Sequence, residues 1–231
     1  KTCTSAPFKP ELKADILKRW PGLLVEYYGM TEGGGSTALN ASEHPDKLHT
    51  VGRPLPGHDI RLIDEQGREV SAGEAGEVVG HSGGMMKGYH RLPDKTREVE
   101  WFNDQGKRFI RTGDVGRFDA DGFLILGDRK KDMIKTGGEN VASREVEEMI
   151  YRLPQVSEVA VIGLPDPKWV EAVTAVVVVK AGQTLDEASV IAHCQQHMAN
   201  FKTPKRVVFT DTLPKNPSGK LLKRELRQRY A

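Results

Sequence analysis

Lys220 lies near the C-terminus in a segment whose composition restricts the backbone. The segment is Pro214-Lys215-Asn216-Pro217-Ser218-Gly219-Lys220, and a basic stretch follows it. Its two prolines restrict φ and its glycine permits conformations that other residues avoid, which predicts a stiff turn before a helix. An ammonium group held in place stabilises developing negative charge and can bridge a carboxylate and a phosphate. We therefore expect Lys220 to act where these two groups react.

A glycine-rich turn follows the short strand predicted for 23–28. It consists of Tyr28-Gly29-Met30-Thr31-Glu32-Gly33-Gly34-Gly35. Such a turn lets backbone amides approach phosphates, the Thr31 hydroxyl can donate to a phosphate oxygen, and the Glu32 carboxylate can bind Mg²⁺. A flexible turn with an incidental glutamate explains the same residues equally well, because short glycine motifs are common. Taken alone, the segment leaves both interpretations open.

Two further segments carry candidate ligands. Arg111-Thr112-Gly113-Asp114 ends a predicted strand, and the two acceptor oxygens of Asp114 match the 2′,3′ diol of a ribose. In isolation, an Asp that caps a turn is the commoner explanation of such a motif. Arg129 and Lys131 lie in a charged segment before the glycine loop 137–140, and most charge runs are solvated linkers. The spacing of these residues alone does not decide between the two explanations.

The order of the motifs carries more information than any one of them. Together they resemble the core motifs of the adenylate-forming superfamily, which contains acyl-CoA synthetases, nonribosomal peptide adenylation domains and firefly luciferase. The resemblance covers nearly the whole chain. The matching segments are Tyr28–Glu32, Arg111–Asp114, Gly127–Asp132, Gly137–Asn140 and Pro214–Lys220.

The resemblance implies a nucleotide site with defined roles. Thr31 would contact the α-phosphate of ATP, Glu32 would bind Mg²⁺, and Tyr28 and Gly29 would flank the adenine and the acyl carboxylate. Asp114 would hold the ribose hydroxyls.

Four more matches to the superfamily follow. Arg129 would assist at the ribose, and Ser5-Ala6-Pro7 resembles a small-residue loop beside the adenine, although Thr4 stands where a glycine is usual. Lys131 falls at the position of the hinge about which the C-terminal domain rotates between two half-reactions. Lys220 matches the lysine that catalyses adenylation.

The implied reaction is a two-step ligation. A carboxylic acid would attack ATP to give an acyl adenylate, and a thiol would then displace AMP. Coenzyme A is the expected thiol, because several segments resemble the superfamily's CoA contacts. Most members have glycine after the tryptophan, where Val170 stands, and packing between domains is an alternative role for the indole. The candidate CoA residues are Gly137, Gly138, Trp169, Phe201 and Lys205.

Hydrophobic periodicity and turn residues predict a chain of the α/β and α+β classes. Residues 1–128 are expected to form the end of a large domain, with a short α/β piece and a small β barrel. Residues 129–231 are expected to form a compact, mobile α+β domain. The first predicted helix covers 10–20 and has Leu12, Ile16 and Leu17 on one face. A second covers 143–153, and a third begins at 184, where Thr184 and Glu187 are predicted to form a capping box. The predicted strands cover 23–28, 59–63, 77–79, 109–111, 123–126, 156–162 and 172–179.

The composition excludes several classes of protein. The 231 residues are 38% hydrophobic with a formal net charge of +2, which is not the signature of a nucleic-acid-binding protein. The longest apolar run, around 172–179, is far shorter than the roughly 20 residues of a membrane span. Cys3 and Cys194 have no metal or redox spacing, so we expect unpaired thiols and a cytoplasmic protein. The expected partners are therefore small molecules; oligomeric state is left open.

The chain begins at Lys1, and no signal or transit peptide precedes the first helix. The resemblance implies an N-terminal part with the loop that binds the ATP β- and γ-phosphates and most of the acyl pocket. We therefore expect residues 1–231 alone to be inactive. A fatty acid is the first expectation for the substrate. The alternatives are an aryl-acid CoA ligase, a module that loads a carrier protein, and a non-enzymatic interaction module.

Overall fold

The computed structural model describes residues 1–3, 8–20, 22–217, 219 and 221–231. The chain divides into two compact units, Lys1–Gly127 and Asp128–Ala231. The boundary expected from the sequence lies one residue later. The observed architecture confirms the expected mixture of α/β and α+β structure.

The first unit begins with one helix and a four-stranded sheet. Strand β1 pairs with β2 in parallel, and β2, β3 and β4 pair in antiparallel fashion. Apolar side chains of the helix pack against the sheet around Leu24 and Leu39. These elements are β1 (Thr2–Cys3), α1 (Pro10–Arg19), β2 (Val25–Gly29), β3 (Ser36–Asn40) and β4 (Arg53–Pro54).

A buried lysine joins α1 to this sheet. The Lys13 side chain is 2% exposed, forms an ion pair with Glu26, and donates to the carbonyl oxygens of Leu48 (2.7 Å) and Thr50 (3.0 Å). Three acceptors match the three protons of its ammonium group, so the desolvated charge is compensated. Leu12, expected on the buried face, is instead 47% exposed, because Lys13 occupies the interior.

A second sheet completes the first unit. Strand β8 is eleven residues long and pairs with β6, β7 and β9, and this antiparallel sheet forms a half-barrel where the sequence predicted a small β barrel. Its core includes Leu62, Val78 and Leu124. The elements are β5 (Asp59–Ile63), β6 (Gly76–His81), α2 (Pro93–Val99), β7 (Glu100–Phe102), β8 (Arg108–Phe118) and β9 (Leu124–Arg129).

The second unit is a five-stranded sheet with helices on both faces. Alternate residues of the central hairpin pack on opposite sides: Val161 and Val177 belong to the core with α3 and α4, and Ile162 and Val176 to the core with α5. Burial on both faces explains the continuous apolar run of the sequence. The elements are β10 (Ile134–Thr136), β11 (Glu139–Val141), α3 (Ser143–Ile150), β12 (Val156–Asp166), β13 (Val170–Val179), α4 (Glu187–His197), β14 (Arg206–Phe209) and α5 (Lys223–Tyr230).

The capping box predicted for α4 is wrong. The helix begins at Glu187, and the Asp186 carboxylate accepts a hydrogen bond of 2.7 Å from the Ser189 amide. A carboxylate at the residue before the helix satisfies an unpaired amide and also interacts favourably with the helix dipole, so Asp186 displaces Thr184 as the cap.

No helix among the described residues is long and apolar enough to cross a bilayer.

Candidate active site

The glycine-rich turn between β2 and β3 packs closely against the half-barrel. A Cβ atom built at Gly80 would overlap the carbonyl oxygen of Gly34, and one at Gly33 would overlap the carbonyl oxygen of Gly84. Gly33 and Gly35 also have φ values of +75° and +79°, which side chains rarely adopt. The glycines therefore provide room for the protein's own backbone, in addition to whatever ligand the turn contacts.

Tyr28 and Asp114, which are 86 positions apart in the sequence, are in direct contact. The Tyr28 hydroxyl donates a hydrogen bond of 2.8 Å to Asp114 Oδ2, and both side chains are half-buried. The Asp114 amide donates to Thr112 Oγ1 at 3.0 Å, and the Thr112 hydroxyl donates to the Val78 carbonyl at 2.9 Å. The structure thus brings together two residues expected at the nucleotide, and β6 supports the part of β8 that carries Asp114.

Strand β6 supports the same segment through a second contact. Arg111 forms a two-point ion pair with the buried Glu77, with nitrogen–oxygen distances of 3.2 and 2.5 Å. Gly113 has φ +73° and open space on its Cβ side. The backbone beside Asp114 is therefore accessible while its neighbours are fixed.

Glu32 has a partner that sequence reasoning missed. The Tyr89 hydroxyl donates a hydrogen bond of 2.7 Å to Glu32 Oε1, and this bond raises the pKa of Tyr89. The Met86 amide donates to the backbone carbonyl of Glu32 at 2.9 Å. The sequence signal for this contact is a tyrosine after Gly88 in a polar segment, and such a tyrosine does not by itself predict a hydrogen bond with Glu32.

The residues around Glu32 fit a magnesium ion that arrives with a nucleotide. No donor among the described residues lies within hydrogen-bonding distance of Glu32 Oε2, and Thr31 is exposed beside it. The described residues contain no group of three His, Cys, Asp or Glu side chains able to hold a metal. Magnesium is commonly bound by one or two carboxylates together with substrate phosphates, so a single carboxylate is a suitable donor set.

Three of the five candidate CoA residues lie together in the second unit. The Gly137 amide donates a hydrogen bond of 2.9 Å to the Trp169 carbonyl, and a Cβ at Gly137 would lie 3.2 Å from the indole. The ammonium groups of Lys168 and Lys205 lie 4.8 and 5.2 Å from the centre of the indole ring. Burial, followed by repulsion from Lys168, lowers the pKa of Lys205. This arrangement offers an aromatic face with two cations for an anionic ligand.

The other two candidate CoA residues are not part of this cluster around the Trp169 indole. Gly138 is exposed, with φ +87° and open space around it. Phe201 packs against the core formed with α3 and α4, and no contact with Trp169 is found in the described part of the chain. The Phe201 ring therefore contributes to packing in this structure.

The expected hinge lies in a short 3₁₀ turn, Lys130–Asp132, after β9. Lys131 is exposed, whereas the aspartates on either side are buried. Asp132 accepts a hydrogen bond of 2.8 Å from Arg227, and Asp128 accepts one from Ser143. Arg129, expected at the ribose, is the last residue of β9.

Lys220 and the loop Ser5-Ala6-Pro7 lie outside the described residues. Described residues before and after Lys220 are in direct contact. Lys215 forms an antiparallel bridge with Leu221, and the Leu222 amide donates to the Pro214 carbonyl at 2.9 Å. The two ends of the Lys220 loop, residues 214–222, are therefore joined at its base.

Val170 has a strained backbone beside Trp169. Three residues connect β12 to β13, and the Asp166 carboxylate accepts hydrogen bonds from the Lys168 and Trp169 amides at 2.8 and 2.9 Å. Val170 follows with φ +70°, the conformation that such a loop requires and that glycine usually supplies. A β-branched residue is disfavoured there, and the Val170 side chain is 69% exposed, so packing does not compensate.

The contact between Gly34 and Gly80 predicts a specific destabilisation. We expect Gly80→Ala to lower the free energy of unfolding by about 3 kcal/mol, the upper end of the usual cost of overpacking. Gly83→Ala is the matched control, because a Cβ there meets no atom within 4 Å and the φ is not positive. Its effect should stay within about 1 kcal/mol. Urea unfolding measures both, and equal stabilities would contradict the close approach.

The strain at Val170 predicts the opposite effect. We expect Val170→Gly to raise the free energy of unfolding by about 1 kcal/mol, because a non-glycine residue in the left-handed region costs about 1–2 kcal/mol and glycine returns part of that in chain entropy. The free energy of unfolding of Val170→Asn should lie between those of the parent and of Val170→Gly, and that of Val170→Ile should not exceed the parent's. A loss of stability in Val170→Gly, as at an ordinary strand position, would show that the backbone is unstrained.

Comparison with known proteins supports one family for both units. Residues 1–90 match the family described as "AMP-binding enzyme", and residues 145–220 match "AMP-binding enzyme C-terminal domain". The chain is similar to a feruloyl-CoA synthase of Amycolatopsis sp, with 41% identity over 99% of this chain and 45% of that protein. It is equally similar to the long-chain-fatty-acid–CoA ligase FadD13 of Mycobacterium tuberculosis, with 41% identity over 90% of this chain and 40% of that protein.

Comparison with solved structures supports the same family. ATP-bound MatB from Rhodopseudomonas palustris matches with a TM-score of 0.90 and 38% identity, over 99% of this chain and 45% of that one. The chain thus spans less than half the length of the relatives it matches. Because both its halves match the corresponding parts of AMP-binding enzymes, the chain belongs to the adenylate-forming (AMP-binding) enzyme superfamily.

Proposed function

We propose that these residues are the C-terminal part of a longer ATP-dependent carboxylic acid–CoA ligase that forms an acyl adenylate. The observation that carries this proposal is the hydrogen bond between Tyr28 and Asp114. It joins two residues from separate motifs, both expected at the nucleotide, in a chain of the AMP-binding family.

In the first half-reaction a substrate carboxylate attacks the α-phosphorus of ATP. A carboxylate oxygen–phosphorus bond forms, the bond to pyrophosphate breaks, and pyrophosphate leaves with its electron pair. Asp114 would bind the ribose hydroxyls with Arg129, and Tyr28 and Gly29 would line the adenine and acyl groups. Thr31 would contact the α-phosphate, and Glu32 would bind Mg²⁺, which neutralises phosphate charge when bound.

Lys220 would complete this half-reaction. Negative charge accumulates on the oxygens around the α-phosphorus in the transition state, and a positioned ammonium group offsets it. The bonds that join Pro214 and Lys215 to Leu222 and Leu221 support this role, because a segment joined at its two ends has less entropy to lose when its lysine engages the phosphate.

In the second half-reaction the thiol of coenzyme A attacks the acyl carbonyl. A carbon–sulfur bond forms, the thiol proton is released, and AMP departs with the electrons of the acyl–oxygen bond. We assign Trp169 and Lys205 to the nucleotide end of CoA, and Gly137 and Gly138 to the passage of its pantetheine. Phe201 belongs to this group as the half-buried residue that packs the segment before Lys205 against the core. Rotation of the second unit about Lys131 would alternate the two half-reactions.

The identity of the substrate carboxylic acid is the more specific part of the proposal. We take a fatty acid as the first substrate class and an aryl acid as the alternative. The feruloyl-CoA synthase and FadD13 are equally similar to this chain, so sequence identity favours neither. A carrier protein is the alternative acceptor. A cytoplasmic location is also proposed, on the support of two free cysteines.

A panel of acids tests the function. Pyrophosphate release from ATP is measured with fatty and aryl acids, for the full-length protein and for residues 1–231 alone. CoA and a carrier protein are then compared as acceptors. We expect acid-dependent release only from the full-length protein, followed by transfer to CoA. Absence of release with every acid would refute the proposed function, and full turnover by residues 1–231 would refute the need for a longer chain.

Replacement of the proposed catalytic lysine should separate the two half-reactions. We expect Lys220→Ala in the full-length protein to lower acyl-adenylate formation by about 100-fold or more, because one charge-stabilising group is lost. Thioester formation from supplied acyl adenylate should stay within about twofold, since it does not use that charge. ATP–pyrophosphate exchange and thioester assays measure the two steps, and an equal loss in both would contradict the assignment.

A proline at the proposed hinge should have the reverse effect. Lys131→Pro fixes φ at one value and restricts the preceding residue, so rotation about this position is blocked. We expect thioester formation to fall by at least about 10-fold while adenylation is retained. Lys131→Ala, which keeps backbone freedom, is the matched control and should leave both rates near those of the parent. A similar effect of proline and alanine would argue against a hinge.

A further inference from the structure

Lys223 is the first residue of α5 and lies three positions after Lys220. Its ammonium group is 2.7 Å from Glu147 Oε1 and also donates to the Ser143 hydroxyl. The Lys223 and Glu147 side chains are only 13% and 15% exposed. Both partners of Lys223 belong to α3, so this side chain attaches the start of α5 to α3.

The contacts of Lys223 extend in two directions. Glu147 Oε1 also accepts a hydrogen bond of 2.8 Å from the Val161 amide in β12. On the other side the Ser143 hydroxyl donates to Asp128, which also accepts from the Arg144 amide at 3.3 Å. A continuous polar network therefore joins α5, α3, the central hairpin and the segment that leads to Lys131.

The start of α5 is fixed at further points. Leu226, one turn after Lys223, is fully buried in the core beneath α5. Arg227 pairs with Asp132 at 2.8 Å.

We propose that Lys223 is a positioning residue for Lys220: its bonds to Glu147 and Ser143 fix the end of the Lys220 loop for the adenylation step. The proposal rests on the proposed role of Lys220. The loop base joins Lys215 to Leu221 and Pro214 to Leu222, and the Lys215 side chain attaches the start of the loop to β12 through an ion pair of 2.7 Å with Glu158. Lys223 is the first residue after the loop whose polar side chain attaches the other end of the loop, in this case to α3.

The energetics make this attachment specific to a cation. Burial raises the pKa of Glu147, and the attraction of Lys223 opposes that shift. A neutral residue at 223 would leave a buried carboxylate without its counter-charge, which is costly in a low-dielectric site. The start of α5 would then lose its bond to α3, and a displacement of about 1 Å at a catalytic group can cost on the order of 100-fold in rate.

The test uses the full-length protein with Lys223→Gln and Lys223→Arg. Arg144→Gln is the matched control, because it removes an ion pair with Glu148 on the same helix and keeps the amide that Asp128 accepts from. ATP–pyrophosphate exchange measures adenylation, and supplied acyl adenylate measures thioester formation. Hydrogen–deuterium exchange of amides 213–222 reports the order of the loop.

We expect Lys223→Gln to lower adenylation by about 10- to 100-fold and to leave thioester formation within about twofold. Exchange of the loop amides should rise, while that of β12 and β13 stays unchanged. Lys223→Arg should restore both readings, since arginine also supplies a cation. Arg144→Gln should match the parent.

Equal losses in both half-reactions, or unchanged exchange of the loop amides, would overturn the positioning role. Should Lys223→Gln fail to fold, Ser143→Ala replaces it, because that change keeps the Lys223–Glu147 pair and removes the two bonds of the Ser143 hydroxyl, with Lys223 and with Asp128. A loss of about 3- to 10-fold confined to adenylation would support the proposal, and no loss would overturn it. A parent protein without pyrophosphate release would refute the proposed function separately, and loop exchange alone would then decide the claim for Lys223.

Discussion

The close approach of the backbone at Gly34 to that at Gly80 constrains the whole candidate nucleotide site of the first unit. Any Cβ atom at Gly80 would overlap the opposing carbonyl oxygen, so the turn after β2 can meet β6 only where both residues lack side chains. This contact fixes the β2–β3 sheet against the half-barrel. The hydrogen bonds from Tyr28 to Asp114 and from Tyr89 to Glu32 both depend on that placement.

The second unit solves a different physical problem. Its central hairpin is apolar on both faces and must be covered by helices on each side, which fixes the positions of α3 and α5. Polar side chains then join these helices at their ends, through Lys223, Ser143 and Glu147. Hydrophobic burial provides the general placement of α5, and the charged network restricts it further, which is the precision that a catalytic loop requires.

Several features could be predicted because they follow from local chemistry. The motifs containing Thr31, Glu32 and Asp114 are short and ordered, and β5 extends over the residues that the alternating pattern predicted. Other features could not. Lys13 is a charged residue in the interior, and its burial depends on carbonyls 35 and 37 positions away. Tyr89 becomes a partner of Glu32 only through a contact 57 positions along the chain.

The sequence by itself determined the superfamily, the order of the motifs and the chemical groups available for adenylation, because these depend on residue type and spacing along the chain. The tertiary structure decided which of those groups meet. It joined Tyr28 to Asp114, packed Gly137 against Trp169, and packed the half-buried Phe201 against the core formed with α3 and α4. It also showed that Val170 has a backbone conformation suited to glycine. Long-range contacts and backbone angles depend on how distant segments pack, which local sequence does not specify.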